Sequence, residues 1–121
     1  MVKFDEQKQI DSVNGALALR PQIEELIDRL EKFSGFPQEA GLPSAPKQFI
    51  RYMEEDNRPQ VHLDRDYEHG MGISLGRLRE DTAFDYKFVG LSHNTLRGAA
   101  GGAVLSAELL TAKGYITPKN A

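Results

Sequence analysis

The 121-residue sequence contains no cysteine and no tryptophan. Without thiols the chain offers no cysteine nucleophile, no disulfide and no zinc site built on sulfur ligands, and it carries no disulfide signal for export. Its 15 Lys and Arg residues against 18 Asp and Glu residues give a formal charge of −3, without the basic excess of nucleic-acid-binding proteins. We therefore expect a cytoplasmic protein that does not bind nucleic acid.

Long apolar runs are also absent. A helix that crosses a bilayer needs about 20 mostly apolar residues, whereas the most apolar stretch, residues 98–110, is rich in glycine and interrupted by Glu108. The first residues place charges where a signal peptide has its apolar region. Since no repeat or linker divides the chain, we expect one domain over residues 1–121 with no membrane partner.

The first third of the sequence predicts one clear helix. Residues 2–4 resemble the end of a strand, and around Asn14-Gly15 the pattern leaves a hairpin and a loose helical entry open. Apolar residues then recur at helical spacing and predict an amphipathic helix over residues 21–34, which Gly35 ends. Four helix-breaking residues follow, and they predict an irregular loop over residues 35–47. These are Pro37, Gly41, Pro43 and Pro46.

The rest of the chain predicts strands followed by a helix. Residues 48–53 are typical of a strand, and a second strand is expected within residues 61–63. Alternating apolar residues predict two antiparallel neighbours over residues 71–79 and 84–92. A helix capped by Ser92 or Asn94 follows and ends near Lys113. The fold class is therefore α+β: a mostly antiparallel or mixed sheet, an amphipathic helix, and a long C-terminal helix rich in glycine and alanine.

Residues 98–103, Gly-Ala-Ala-Gly-Gly-Ala, could admit a ligand or an anion at a helix start. No Gly-Lys-Ser/Thr follows them, so they do not form a Walker phosphate loop. Gly98 and Gly102 lie one turn apart, which favours a helix face packed closely on another element. Residues 70–76 lack the dinucleotide-binding fingerprint, because the third glycine comes one residue late and the run lies inside a strand pattern.

The polar residues on their own predict no catalytic set. His62, His69 and His93 lack the one-turn spacing of a metal pair, and we predict no metal site. The charged run 64–66 could pair with the run 77–81, or Arg77 and Arg79 could hold an anion. A solvated, self-compensating surface is the favoured interpretation.

Seven segments in one order carry a more specific signal. They are Leu42-Pro43-Ser44-Ala45-Pro46-Lys47, Glu54-Glu55-Asp56-Asn57-Arg58-Pro59-Gln60, Leu63-Asp64-Arg65-Asp66, Gly70-Met71, Gly76-Arg77-Leu78-Arg79-Glu80-Asp81, Phe84-Asp85-Tyr86-Lys87-Phe88-Val89 and Leu91-Ser92-His93-Asn94-Thr95-Leu96-Arg97-Gly98-Ala99-Ala100-Gly101. Together they closely resemble the C-terminal portion of aspartate-semialdehyde dehydrogenases of the archaeal and fungal type. The resemblance covers residues 36–116. Residues 1–35 match poorly, residues 8–20 depart from the family, and Val61-His62 stands where Pro-Arg is common.

The resemblance implies an NADP-dependent oxidoreductase of lysine, threonine and methionine biosynthesis, which reduces L-aspartyl-4-phosphate through a cysteine thioester with a histidine as acid-base group. It also implies part of a glyceraldehyde-3-phosphate-dehydrogenase-like C-terminal domain that binds substrate and dimerises. Asn94 matches the family position that contacts the nicotinamide end of NADP, and Thr95 is a weaker candidate. The chain would hold no catalytic residue.

The nucleophilic cysteine and the dinucleotide-binding domain have no counterpart in this sequence, so the resemblance implies a fragment that is inactive alone. Its expected partners are a second copy of itself, as a homo-oligomer, and a chain that supplies the N-terminal domain. Two alternatives remain open. Malonyl- and succinyl-CoA reductases share the architecture, and a non-catalytic dimerisation or protein-interaction module would keep the same sheet and last helix.

Overall fold

A computed structural model describes residues 22–119. The expected strand at residues 2–4, the turn at Asn14-Gly15 and the divergent segment 8–20 lie outside the described residues. The described chain forms, in order, α1 (Ile23–Glu31), α2 (Phe36–Glu39), β1 (Ile50–Met53), α3 (Val61–Asp64), a 3₁₀ turn (Tyr67–Gly70), β2 (Ile73–Glu80), β3 (Tyr86–Leu91), a π-helical turn (Leu96–Ala100) and α4 (Gly101–Ala112).

The three strands form one mixed sheet in the order β1-β2-β3. β1 runs parallel to β2, with Ile50 opposite Ile73. β2 and β3 are antiparallel, with Ser74 opposite Leu91, as their alternation predicts. Parallel neighbours cannot be joined by a tight turn, so α3 and the 3₁₀ turn lie in the connection between β1 and β2. The α+β class is confirmed.

β2 contains a bulge where the loop before α3 lies against the sheet. The register with β3 shifts between Gly76 and Arg79, and Arg77 adopts a φ of 56°. The backbone N–H of Leu78 donates to the hydroxyl of Tyr52 at 3.1 Å. A Cβ at Gly76 would collide with the carbonyl oxygen of Arg58, so glycine permits the close approach of that loop.

The predicted amphipathic helix is present as α1. Its exposed side carries the ion pairs Glu25–Arg29 and Asp28–Lys32, each four residues apart, a spacing that places both partners on one face. Just after the helix, the rings of Phe33 and Phe49 lie 5.8 Å apart between centroids. This contact joins the end of α1 to the residue that leads into β1.

Two predictions for the connecting segments are wrong. Within residues 35–47, the residues Phe36–Glu39 form α2, because Pro37 lies in the first turn, where its missing N–H costs nothing, and the Gln38 side chain accepts the N–H of Gly35 at 3.0 Å. Residues 61–63 form α3 and not a strand. There the backbone N–H of Gln60 donates to the Asp64 carboxylate at 2.7 Å, which stabilises the first turn.

The apolar core is small and joins distant parts of the chain. Leu42, Met71 and Leu105 are buried together, with Ala45 and Leu109 packed against them. The backbone N–H and hydroxyl of Ser44 donate to the Glu108 carboxylate at 2.9 and 2.6 Å, so the loop after α2 is bound to α4. Within residues 22–119, no helix is long and apolar enough to cross a membrane.

Candidate functional site

The candidate cofactor-binding residues lie in the short connection between β3 and the π-helical turn. Asn94 and Thr95 are both exposed. Among the described residues the Asn94 carboxamide has no hydrogen-bond partner, so both its donor and its acceptor groups are available to a ligand.

The helix start at this connection is capped by His93. Its Nδ1 accepts the backbone N–H of Thr95 at 3.2 Å and that of Leu96 at 3.1 Å. The predicted caps, Ser92 and Asn94, are therefore wrong. Sequence reasoning missed His93 because caps are recognised by short oxygen-bearing side chains, and an imidazole reaches the same N–H groups only in this backbone geometry.

The first turn of the last helix is π-helical. The N–H of Gly98 donates to the carbonyl of His93 at 3.0 Å, and that of Ala100 to the carbonyl of Thr95 at 2.8 Å. Both bonds span five residues instead of four. Such turns are rare and occur often at functional sites. The helix predicted up to Lys113 is present, with Gly114 at a φ of 82° beyond its end.

The glycines of this helix have different surroundings: one packs against another element, and others line an open groove. A Cβ at Gly101 would overlap Sδ of Met71, whereas at Gly98 the nearest atom outside its immediate neighbours lies 3.7 Å away. Gly98 and Gly102 line an open groove of about 410 Å³, together with Pro37 of α2 and Arg97. Among the described residues it is Gly101, and not the predicted Gly98 and Gly102, that packs closely on another element, while a Cβ at Gly102 would collide with the carbonyl oxygen of Arg97 in the same helix.

Arg97, at the border of this groove, is held in place by an aromatic ring. Its guanidinium carbon lies 4.4 Å from the centroid of the Phe49 ring, a cation–π arrangement. This contact holds a positive charge three residues after Asn94, at the groove that Gly98 also lines.

A second group of polar residues surrounds the buried carboxylate of Asp64. The Asp64 side chain is fully buried. Its carboxylate accepts hydrogen bonds from Nε of Arg58 at 2.8 Å and from Nη2 of Arg51 at 2.8 Å. Arg51 also donates from Nε to the buried Ser74 hydroxyl at 2.9 Å, and its guanidinium lies 4.0 Å from the Tyr67 ring centroid. The residues Arg51, Arg58, Asp64 and Ser74 are called the Asp64 cluster below.

The Asp64 cluster favours the ionised carboxylate. The hydrogen bond from Arg58 lowers the pKa of Asp64 from 3.8 to about 2, despite the opposing effect of burial. The favoured interpretation of the run 64–66 as a solvated surface is therefore wrong for Asp64, which is buried, and so is the alternative in which it pairs with residues 77–81. Its true partners lie 6 and 13 residues earlier in the chain, a spacing that no local pattern indicates.

The remaining polar candidates do not converge. Arg77 and Arg79 are exposed, and Arg79 donates from Nη1 to the carbonyl of Arg77 at 2.6 Å. The cavity beside them is also lined by Glu54 and Asp56, so an anion there would meet acidic side chains. Among residues 22–119, no group of three or more His, Asp or Glu side chains is placed to hold a metal ion.

Comparisons with known proteins give a consistent result. No family model matches the chain. It is 47% identical over 90 residues to the aspartate-semialdehyde dehydrogenase of Methanothermobacter thermautotrophicus, a match covering 73% of this chain and 26% of that protein. It is 46% identical over 96 residues to the malonyl CoA reductase (NADP) of Metallosphaera sedula, covering 78% of this chain and 27% of that protein.

A solved structure agrees with these sequences. The crystal structure of aspartate-semialdehyde dehydrogenase with NADP from Candida albicans matches with a TM-score of 0.73 and 43% identity, over 80% of this chain and 27% of that one. The chain therefore spans about a quarter of the length of the relatives it matches.

Proposed function

Because the chain belongs to the aspartate-semialdehyde dehydrogenase family and corresponds to the C-terminal portion of its members, we propose that it forms part of an NADP-dependent enzyme. That enzyme reduces L-aspartyl-4-phosphate to aspartate semialdehyde, in lysine, threonine and methionine biosynthesis, in the cytoplasm. The observation that carries the proposal is the match in both sequence and fold to the Candida albicans enzyme solved with NADP.

The residues present suit the nicotinamide end of NADP. The exposed Asn94 carboxamide can donate and accept hydrogen bonds at once, which is what a nicotinamide carboxamide requires. Thr95 is exposed beside it, and the glycine-lined groove starts at Arg97. We assign Asn94 to bind and orient the nicotinamide, with Thr95 as a secondary contact.

The chain's own part in the reaction is to bind the nicotinamide end of NADP and to orient it. NADP supplies the hydride when it is bound. A thioester step needs a thiolate, and these 121 residues contain no cysteine, so the nucleophile of the proposed enzyme comes from outside them. We therefore expect the purified chain to be inactive alone.

A two-chain complementation assay tests this proposal. The purified chain is mixed with a polypeptide that carries the N-terminal domain and cysteine of a relative. Formation of NADPH from NADP, phosphate and aspartate semialdehyde is then followed. We expect activity only in the mixture. Activity of the chain alone would overturn the fragment assignment, and an inactive but stably formed complex would favour a non-catalytic interaction module.

The Asn94 assignment has its own test in the same mixture. Asn94→Ala should raise the KM for NADP about tenfold, the effect of losing one to two hydrogen bonds to a ligand. Asn57→Ala is the matched control, because Asn57 is also exposed and lies in the loop before α3. Equal KM values in the two variants would overturn the role of Asn94 while leaving the family assignment intact.

Malonyl-CoA reduction is the second candidate function. The observation that favours it is the Metallosphaera sedula relative, which is as similar to the chain as the dehydrogenases are. Comparing kcat/KM of the mixture for aspartate semialdehyde formation and for malonyl-CoA reduction, with the N-terminal domain taken from each relative in turn, separates the two. A preference that follows the donor domain would locate substrate choice outside this chain.

A further inference from the structure

We propose that His93 is the positioning residue of the cofactor-contacting turn, and that it holds Asn94 in place as a neutral imidazole with its proton on Nε2. The link to NADP rests on the proposed function of Asn94. The positioning of the turn rests on the contacts of His93 alone.

Three hydrogen bonds to one residue close the turn. Nδ1 of His93 accepts the N–H groups of Thr95 and Leu96 at 3.2 and 3.1 Å, and its carbonyl accepts the N–H of Gly98 at 3.0 Å. Asn94 lies inside this closed loop. Its backbone is therefore fixed from both sides, while its side chain remains exposed.

The two bonds at Nδ1 specify the chemical form of the ring. A ring nitrogen that accepts N–H groups carries a lone pair and no proton, so the single proton of the neutral imidazole has to be on Nε2. A protonated ring or the other tautomer would present an N–H toward two further N–H groups. Neither form is compatible with the turn.

The opposite side of the turn is closed by Gly70. This residue has a φ of 81°, and a Cβ there would lie 2.6 Å from Cδ1 of Leu96 and 3.4 Å from Cδ2 of His93. The imidazole and Leu96 thus rest against backbone with no side chain between them. Because this contact restricts the ring from one side and the hydrogen bonds from the other, His93 connects the 3₁₀ turn to the cofactor-contacting residues.

Amide hydrogen exchange of the full chain tests the positioning directly. His93→Leu should speed exchange at the Thr95 and Leu96 N–H groups about tenfold, the equilibrium effect of one net hydrogen bond. His93→Asn should keep the protection, because its side-chain oxygen can take the place of Nδ1, whereas His93→Gln should not. His62→Leu, a change at an exposed histidine, is the matched control and should leave both amides protected.

The tautomer measurement needs no variant and decides the proposal even if His93→Leu does not fold. Nitrogen-15 spectra of the wild-type chain should show His93 with an unprotonated Nδ1 and a protonated Nε2. The exposed His62 and His69 should show exchange between tautomers. A His93 signal averaged like those two, or unchanged exchange in His93→Leu, would overturn the proposal.

The KM for NADP, measured in the two-chain mixture, distinguishes failure of this inference from failure of the proposed function. His93→Leu should raise the KM for NADP about as much as Asn94→Ala does, and His93→Asn should restore it. If Asn94→Ala leaves the KM unchanged while the exchange results hold, the NADP assignment fails and the positioning role stands. If the KM responds to Asn94 but the amides do not respond to His93, the positioning role fails.

Discussion

At the scale of single residues, Asp64 combines a buried carboxylate with four accepted hydrogen bonds. It is 2% exposed and accepts hydrogen bonds from two arginines and from the backbone of Gln60. A buried carboxylate is tolerated only when its charge is compensated in this way. Through these bonds Asp64, which lies in α3, connects that helix to β1 and to the loop before it.

Asp64→Asn should lower the free energy of unfolding by about 3–5 kcal/mol, because it leaves the charges of Arg51 and Arg58 without their partner. Urea unfolding at neutral pH measures the change. Asp66→Asn is the matched control, since Asp66 is exposed and its pair with Arg65 is long, at 3.6 Å. The control should differ from wild type by less than about 0.5 kcal/mol, and equal losses in both variants would contradict the role of the Asp64 cluster.

The same cluster predicts a pH dependence with a defined sign. The pKa of Asp64 is lowered from 3.8 to about 2 in the folded chain, so folding favours the ionised form. This stabilisation is complete above about pH 4 and is lost as the pH falls toward about 2.

The stability difference between wild type and Asp64→Asn should therefore shrink by about 2 kcal/mol over that window. Asp81 has a similarly lowered pKa because Lys87 donates to it, and wild-type stability alone would mix the two groups. Comparing the pH profile with that of the variant isolates Asp64. A difference that stays constant across the window would refute this assignment.

At the scale of elements, α4 and its preceding turn combine a packed side and an open side. Gly101→Ala should destabilise the fold by about 1–3 kcal/mol, because the added methyl group would overlap Met71 and the carbonyl of Leu96. Gly98→Ala adds the same methyl group at an exposed position of the same helix. It should be neutral or stabilise by up to about 1 kcal/mol, since alanine favours helix.

Thermal unfolding of the two alanine variants measures this contrast. If Gly98→Ala loses as much thermal stability as Gly101→Ala, the groove between α2 and the last helix is closed in the folded chain. A loss at Gly101 alone supports the division of the glycines into a packed and an open set.

Periodic elements of this chain could be predicted from the sequence, and the aperiodic ones could not. Helical spacing indicates α1, and alternation indicates β2 and β3, because both patterns place apolar residues on one face of the element. The short helices α2 and α3 depend on single side chains, Gln38 and Asp64, that bind backbone N–H groups. Such bonds leave no repeating signal in the sequence, which therefore predicts a proline-rich loop and a strand in place of the two helices.

The candidate site likewise contains residues that could be predicted from the sequence and residues that could not. Asn94 and Thr95 could be named from the family motif, and their exposure agrees with contact to a ligand. The cap at His93 and the Asp64 cluster could not be named, since each depends on tertiary placement of side chains. Binding of NADP by Asn94 and Thr95 stays a prediction.

At the scale of the whole molecule, much apolar surface is exposed. Phe84 is 79% and Phe88 56% exposed, beside and within β3, and Tyr115 is 78% exposed. β3 lies at one edge of the sheet formed by the described residues, and an edge strand offers backbone groups and side chains to another chain. This surface is consistent with a chain that functions within an assembly.

We predict that the chain self-associates through its strands. Sedimentation velocity at micromolar concentrations should show a dimer or larger species. Phe88→Lys should shift the population toward monomer, because a charge in an apolar interface loses its hydration. Val104→Lys, at a similarly exposed residue of α4, should leave the association unchanged. A monomer at all concentrations would contradict the prediction.

The bond between Ser44 and Glu108 joins residues 64 positions apart, and Leu42 meets Leu105 in the same part of the core. During synthesis on the ribosome, the loop that holds Ser44 leaves the exit tunnel long before its helical partner is made. The bond to Glu108 can therefore form only after α4 has also left the tunnel, and until then the loop lacks this partner. Completion of this contact thus depends on a helix that is synthesised 64 residues after the loop it holds.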